Sequence, residues 1–426
     1  MHEYIALLRR NPDYRNLWLA RVVSNLGDWF NLLASAALIA QLSGAGTAIS
    51  YLFLARLLPV FVMSPFAGVL ADRYPRKTLM IVSDLTRAAT VLCFLLVRRP
   101  EDIWLLYTLT VVQFVLSSLY TPAHSALLSN IVRPDELVVA NALDSFTWST
   151  MLAVGALLGG IAAALFGVTT AFVLDALTFV VAAWFVARIR APGTVTARAV
   201  HVGGGLREIV DGMRYMRLRP LILGLALVKA GGALVWGAIN VMEIPLAQEL
   251  FPLNGNGSLT LGFIYATVGL GTGIGPLLVR RLVGDKHNGA LRGIFLGFAA
   301  LSVGVLGLGV APSLFWVLVA SFFRSLGSGS LWVFSSALLQ RTADDEFRGR
   351  VFASEFALFT LGQSLSTLWA GVALDTFGWG VQGVIVSAGV VSLAALPVWL
   401  WFHRRMAEHP VAVMAAPLVG THKQGE

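Results

Sequence analysis

The sequence predicts an all-α polytopic membrane protein with twelve transmembrane helices in two pseudo-symmetric six-helix bundles. Three observations carry that prediction. Of 426 residues, 57% are hydrophobic and only 13% are charged, with a mean hydropathy of +0.76, whereas a soluble domain carries roughly 25% charged residues. Apolar runs near the length that crosses a bilayer, about 20 residues, recur along the whole chain. The second half also repeats polar and glycine positions of the first at a fixed offset. The same composition excludes a disordered chain, a disulfide-rich secreted module and a coiled coil. Cys93 is the only cysteine, so no internal disulfide can form.

The apolar runs fall at 16–41, 47–70, 78–97, 103–128, 139–165, 169–188, 221–249, 258–280, 291–310, 313–339, 350–376 and 381–402. Met1 to Trp18 is mixed and charged, without the apolar core of a secretory signal. The N-terminus, the loops after spans 2, 4, 6, 8 and 10 and the C-terminal tail hold 24 of the 31 Lys and Arg residues. The opposite loops hold only Arg98 and Arg99. By the positive-inside rule both termini are cytoplasmic, in a cytoplasmic (inner) membrane. Trp104, Trp316, Trp379 and Trp399 near span ends fit an interfacial aromatic belt. This topology accounts for the net charge of +8, so no nucleic-acid partner is implied. The longest connection is basic and glycine-rich, then amphipathic over Leu206 to Leu218. It divides the chain into an N-terminal bundle (1–190), a cytoplasmic linker (191–219), a C-terminal bundle (220–403) and a tail (404–426).

A shift of 211 positions places Ser125–Leu128 on Ser336–Leu339, Asp144 on Glu355, Gly160 on Gly371, Phe166-Gly167 on Phe377-Gly378 and Pro65 on Pro276. Matches among apolar residues arise cheaply, so the polar and glycine coincidences carry the weight. Parallel repeats of this kind place a ligand site between the halves near the midplane.

Between spans 2 and 3 stand Gly68, Asp72, Arg73, Arg76 and Lys77 in the order Gly, four residues to Asp, Arg, then a basic pair. On these residues the chain resembles the major facilitator superfamily, with Pro75 where the family has its second glycine. Tyr120-Thr-Pro-Ala-His124, Asp135–Leu143 and Asp345–Val351 resemble the macrolide-efflux and siderophore-exporter branch. Gly155, Gly159 and Gly160 on span 5 resemble the exporters' signature, with Ala156 in place of its proline. They equally form a small-xxx-small packing face. The resemblance implies secondary active transport by alternating access. It also implies a cytoplasmic gate that closes when the cavity faces outward, in which Asp72 caps the start of span 11, Arg73, Arg76 or Lys77 pairs with Glu355, and Asp285 and Lys286 of loop 8–9 meet span 5 and Asp144.

In that fold the first helix of each three-helix unit lines the cavity, and the polar residues agree. Arg21, Ser24, Asn25, Asp28, Asn31 and Ser35 share one face of span 1; Gln113, Ser117, Thr121 and His124 one face of span 4; Lys229, Trp236, Asn240 and Glu243 one face of span 7; Ser321, Arg324, Ser328 and Ser335 one face of span 10. Asp28 falls near mid-depth. It reads as a proton-coupling or substrate carboxylate, or as half of a structural ion pair with Arg56 or Arg324. Asn25, Asn31, Arg56, Gln113, Tyr120, Trp236, Asn240, Arg324 and Trp332 are the candidate cavity residues. Asp28 with the rings of Trp236 and Trp332 suits lipophilic cations, whereas Arg56 and Arg324 suit carboxylates or phosphates. Glu243 is expected to line the outer gate or to face water, and Lys229 to snorkel toward the nearer surface.

No Gly-x-x-x-x-Gly-Lys-Ser/Thr loop, Cys-x-x-Cys, His-Glu-x-x-His or serine-hydrolase elbow occurs. ATP as direct energy source, a metal site, a cofactor and an enzyme activity are therefore not expected. The expected function is proton-coupled export of small amphipathic molecules by a monomer, its partners being the substrate, protons and the bilayer. The alternative is a lysophospholipid or lipid translocator; a non-transporting sensor would lack the aligned polar stripes.

Overall fold

The computed structural model describes residues 2–133, 136–190, 204–253, 255, 257–284, 287–344 and 347–408. Its regular elements are helices. They are α1 (His2–Arg10), α2 (Pro12–Leu42), α3 (Gly46–Arg73), α4 (Arg76–Cys93), α5 (Ile103–Ile131), α6 (Leu137–Thr150), α7 (Ala156–Ala187), α8 (Gly204–Arg217), α9 (Pro220–Pro245), α10 (Gly257–Val283), α11 (His287–Gly309), α12 (Leu314–Thr342), α13 (Arg348–Asp375) and α14 (Gly380–Glu408). Single π-helical turns join α6 to α7 (Met151–Gly155) and extend α9 (Leu246–Leu250).

Among the described residues eleven stretches are long and apolar enough to cross a membrane, but one of them, Val139–Ala187, has 49 residues. At 1.5 Å per residue it would reach about 74 Å, more than twice a hydrocarbon core of about 30 Å. It is two spans. The chain turns at Gly167, where φ is 80° and ψ 168°, a conformation that glycine alone takes without strain. Gly378, its counterpart 211 positions on, takes φ 63° between α13 and α14. The repeated Phe-Gly pair thus marks the same reversal in each half, and the twelve expected spans are present.

The packing repeats as well. In the N-terminal half α2 lies along α7, α3 along α5, and α4 against α5 and α7. In the C-terminal half α9 lies along α13, α10 along α12, and α11 against α12 and α14. The halves meet along two seams, α3 with α13 and α7 with α10. Each seam closes on a repeat-matched glycine. A Cβ on Gly160 would lie 2.6 Å from the Ser258 carbonyl oxygen and 2.9 Å from Gly262 Cα. A Cβ on Gly371 would lie 2.6 Å from Ser50 Oγ and 2.9 Å from Thr47 Cα. Beside Gly371, Asp375 accepts hydrogen bonds from the Gly46 and Thr47 amides (2.9 and 2.8 Å) and from Thr47 Oγ1 (2.6 Å), satisfying donors at the open start of α3. These contacts lie in the half of the molecule away from the termini. The protein is therefore closed at that face.

On the terminal face, the amphipathic helix expected over 206–218 is α8, which starts two residues earlier and ends one residue sooner. It packs on α13: Ser354 Oγ donates to the Ile209 carbonyl at 2.8 Å, and Tyr215 stacks on Phe347 with centroids 4.5 Å apart. Arg219 pairs with Asp344 at 2.5 Å and holds that carboxyl below the usual carboxylate range. Residues 191–203 of the linker lie outside the described residues. The helix α14 runs six residues past the expected end of span 12, and residues 409–426 lie outside the described residues.

Candidate functional site

Asn25 and Asp28 stand one turn apart on α2, on the face the spacing predicts. With Trp29, Leu32, Arg56 of α3, Phe114 of α5, Trp148 of α6 and Met151 of the π-helical turn, they line a chamber of about 180 Å³. A π-turn inside a helix is commonly a functional feature. Here it begins at Met151, three residues after Trp148, and both residues line the chamber. Gly155 and Gly159 sit against α2: a Cβ on Gly155 would lie 2.8 Å from the Trp29 ring, and one on Gly159 would lie 3.1 Å from the Trp29 carbonyl oxygen.

The expected partners of Asp28 are corrected. Neither Arg56 nor Arg324 holds it; Arg87 of α4 does, Nη2 to Oδ1 at 2.5 Å. Arg87 is 2% exposed and Asp28 is 31% exposed, so the carboxylate opens to the chamber while the guanidinium does not. Arg87 also lies 3.9 Å from Asp84 and stacks over the Phe179 ring at 4.0 Å. One buried cation is thus shared by two carboxylates. A third acid, Asp175, is fully buried on α7, with the Asn31 amide against it. Residue choice on spans 1, 4, 7 and 10 misses Arg87 and Asp84 because they belong to span 3. The available signal is an acid and a base three residues apart in an apolar run.

Arg56 stands over the Phe114 ring at 4.5 Å, and its buried Nη1 has no hydrogen-bond partner among the described residues. Gln113 and Tyr120 are buried; both amide atoms of Gln113 and the Tyr120 hydroxyl lack partners among the described residues. Tyr120 stacks on His124 at 6.0 Å, and His124 Nδ1 lies 3.8 Å from Asp144.

In the C-terminal half two further expectations are corrected. Glu243 does not face water: it is fully buried and ion-paired with Arg324, which is therefore not free for a ligand. Lys229 does not snorkel: it is buried 3.0 Å from Glu355 of α13, with the ammonium 4.3 Å above the Trp332 ring. A carboxylate within reach at the same depth removes the reason to snorkel. Trp236 donates to Ser328 Oγ at 2.7 Å and packs against Trp332 and Phe359, with Asn240 half-buried one turn along α9. Trp29 meets Tyr265 across the α2–α10 boundary, with centroids 5.3 Å apart. Removing one member of a buried pair leaves an uncompensated charge, at a cost of about 3–5 kcal/mol. Arg324→Met alone is therefore expected to lower the thermal unfolding midpoint in detergent sharply. Arg324→Met with Glu243→Leu is expected to recover most of the loss.

Of the gate contacts, which are expected when the cavity faces outward, the pairing of Glu355 with Arg73, Arg76 or Lys77 is absent among the described residues of this structure, which is closed at the opposite face. Arg76 is buried and donates to the Ala126 carbonyl of α5 at 2.9 Å, and Lys77 donates to the Ile189 carbonyl at 2.7 Å. Both cations thus tie the start of α4 to its own half. Arg73 is exposed, and Glu355 is taken by Lys229. The side-chain environments of Gly68 and Asp72, and all of Asp285 and Lys286, lie outside the described residues. Pro75 forms the N-cap of α4 with φ −55°, making the turn where the family has glycine.

The sequence profile described as Major Facilitator Superfamily matches residues 17–353 and 255–420. The chain belongs to the Major Facilitator Superfamily. Within that superfamily it is 27% identical over 392 residues to the MFS-type transporter YfiS of Bacillus subtilis (strain 168), covering 87% of this chain and 89% of the relative. It is 23% identical to the putative bacilysin exporter BacE of the same organism, covering 88% and 92%. It is likewise 23% identical to macrolide efflux protein A of Streptococcus pyogenes, covering 86% and 90%. These names agree with the branch that the residues of span 4 and of the loop between spans 10 and 11 resemble. Among solved structures, the fold superposes on a POT peptide transporter bound to alafosfalin with a TM-score of 0.74, covering 95% and 96% of the two chains. It superposes on a bacterial homolog of the human lysosomal transporter Spinster with a TM-score of 0.71, covering 95% and 98%. At 13% and 14% identity these two likenesses concern the fold alone. The chain is a multi-pass membrane transporter of this superfamily.

Proposed function

We propose that the protein exports small amphipathic molecules of drug or siderophore type across the cytoplasmic membrane by alternating access, driven by entry of protons. The reading rests on one arrangement: a buried guanidinium, Arg87, between Asp28 at 2.5 Å and Asp84 at 3.9 Å, with only Asp28 open to the chamber. A proton arriving on Asp28 weakens its hold on Arg87. Asp84 keeps the cation compensated, so the exchange avoids the cost of an unpaired buried charge. Loss of the proton restores the Asp28 pair. The shared cation is a two-state element that a proton and a ligand in the chamber both bias, as coupling requires. Relatives named as an exporter and an efflux protein support the outward direction. The positive-inside count argues for both termini in the cytoplasm. In this orientation the closed face is the external one.

The test is transport of candidate drugs and siderophores in proteoliposomes. An imposed pH gradient is expected to accelerate substrate movement opposite to the proton flow. Equal rates before and after the gradient is collapsed would remove proton coupling.

A further inference from the structure

The superfamily leaves open what the chamber binds, and its own unsatisfied groups address that. Two buried donors line it without a partner among the described residues, Arg56 Nη1 and Asn25 Nδ2. A buried donor left unpaired is costly, and one carried by a guanidinium more so. The other intramembrane cations differ. Arg87, Lys229 and Arg324 each hold a carboxylate. Arg21 lies in the electrostatic field of Asp144. Arg56 lies in the electrostatic fields of Asp28 and Asp175 but forms an ion pair with neither; the Phe114 ring lies on one face and the chamber beside it. Its fork of donors matches a carboxylate in a way that a point charge does not.

The same chamber also holds an acceptor. Asp28 uses Oδ1 for Arg87 and remains 31% exposed, so its second oxygen is open. The chamber therefore presents a cationic and an anionic group together, walled by Trp29, Trp148 and Phe114. A purely cationic ligand would leave the orphan donors unmet and meet Arg56 as a like charge. A purely anionic ligand would meet Asp28 as a like charge and would bind best when Asp28 is protonated, which opposes exchange for protons.

We infer that the chamber is the head-group site for a zwitterionic amphiphile, with a carboxylate on Arg56 and Asn25, an ammonium on Asp28 and an apolar body against the three rings. The inference rests on the transporter reading above and adds its substrate class. A substrate ammonium and a proton then compete for Asp28, which is the antagonism an antiporter needs.

The test is equilibrium binding to the full chain purified in detergent, read as a shift of thermal unfolding midpoint with ligand concentration. The probes are phenylalanine, its N-acetyl derivative, which keeps only the carboxylate, and its amide, which keeps only the ammonium. Phenylalanine is expected to bind at least about tenfold more tightly than either analogue, the smaller end of one lost charge-assisted hydrogen bond. Arg56→Gln is expected to remove the preference for phenylalanine over its amide, weakening phenylalanine while the amide, relieved of a like charge, binds at least as tightly as before. The wild-type comparison stands whether or not that variant folds. An amide equal to phenylalanine overturns the carboxylate site, and an N-acetyl derivative equal to phenylalanine overturns the ammonium site. No stabilisation by phenylalanine overturns both. Because no gradient enters this measurement, its failure leaves proton-driven transport standing. Binding without any gradient-driven movement would instead count against the transport reading alone.

Discussion

Asp28→Asn is expected to remove gradient-driven transport while the protein stays folded and substrate exchange without a gradient persists at raised substrate concentration, because the asparagine keeps only a neutral acceptor for the substrate ammonium. The two halves of that expectation have different causes. Asparagine cannot take up and release a proton, so the Arg87 pair no longer responds to the gradient. Folding survives because Arg87 keeps a second carboxylate, Asp84, at 3.9 Å, and the Phe179 ring at 4.0 Å. The stability loss of the single variant should stay near the value of one charge-assisted hydrogen bond, about 1.5–3 kcal/mol. Removing both acids, Asp28→Asn with Asp84→Asn, leaves the guanidinium buried and uncompensated, at a cost of about 3–5 kcal/mol. Thermal unfolding in detergent and transport in proteoliposomes separate the two effects. Gradient-driven transport at the wild-type rate in the Asp28→Asn variant would take Asp28 out of the coupling step. Equal stability of single and double variants would show that Asp84 does not support Arg87.

What the sequence makes legible follows the length scale of each physical effect. Span number, shared sidedness of the termini and the repeat depend on composition and period, both visible along one dimension. The paired Phe-Gly turns and the seam glycines Gly160 and Gly371 are visible as coincidences at a shift of 211. Their reason, a positive φ and a close helix approach, needs coordinates. Asn25 and Asp28 stand out because both lie on one face of one helix. The ion pairs do not, because a pair between helices depends on depth and rotation of two elements at once. Lys229 shows the difficulty. In sequence it reads as snorkelling because the nearest surface is visible there and the facing Glu355 is not. Glu243 with Arg324 repeats the lesson across α9 and α12. Arg76 and Lys77 turn inward because carbonyls at the ends of α5 and α7 lie within reach, which no spacing announces.

Replacing Gly160 or Gly371 with valine is expected to hold open the face away from the termini and to stop transport. A Cβ at Gly160 falls 2.6 Å from a carbonyl oxygen and 2.9 Å from an α-carbon of α10. Contacts under 3.0 Å are not tolerated, and these partners are backbone, so no rotamer change relieves them. The helices α7 and α10 must separate. At Gly371 the collision is with the start of α3, and separation also breaks the hydrogen bonds from Gly46 and Thr47 to Asp375. Each half packs its own helices away from these two seams, so its fold is expected to survive. Alternating access needs both closures in turn, and each variant forbids one of them. Spin labels at the ends of α3 and α13 near Thr47 and Asp375 are expected to report a longer mean distance in the Gly371→Val protein. Labels near Ser258 and Phe166 are expected to do the same for Gly160→Val. The two seams are repeat-matched, so the double variant should lengthen both distances while adding little to the transport defect of either single. A wild-type distance distribution combined with wild-type transport in Gly160→Val would show that the α7–α10 approach is incidental to closure.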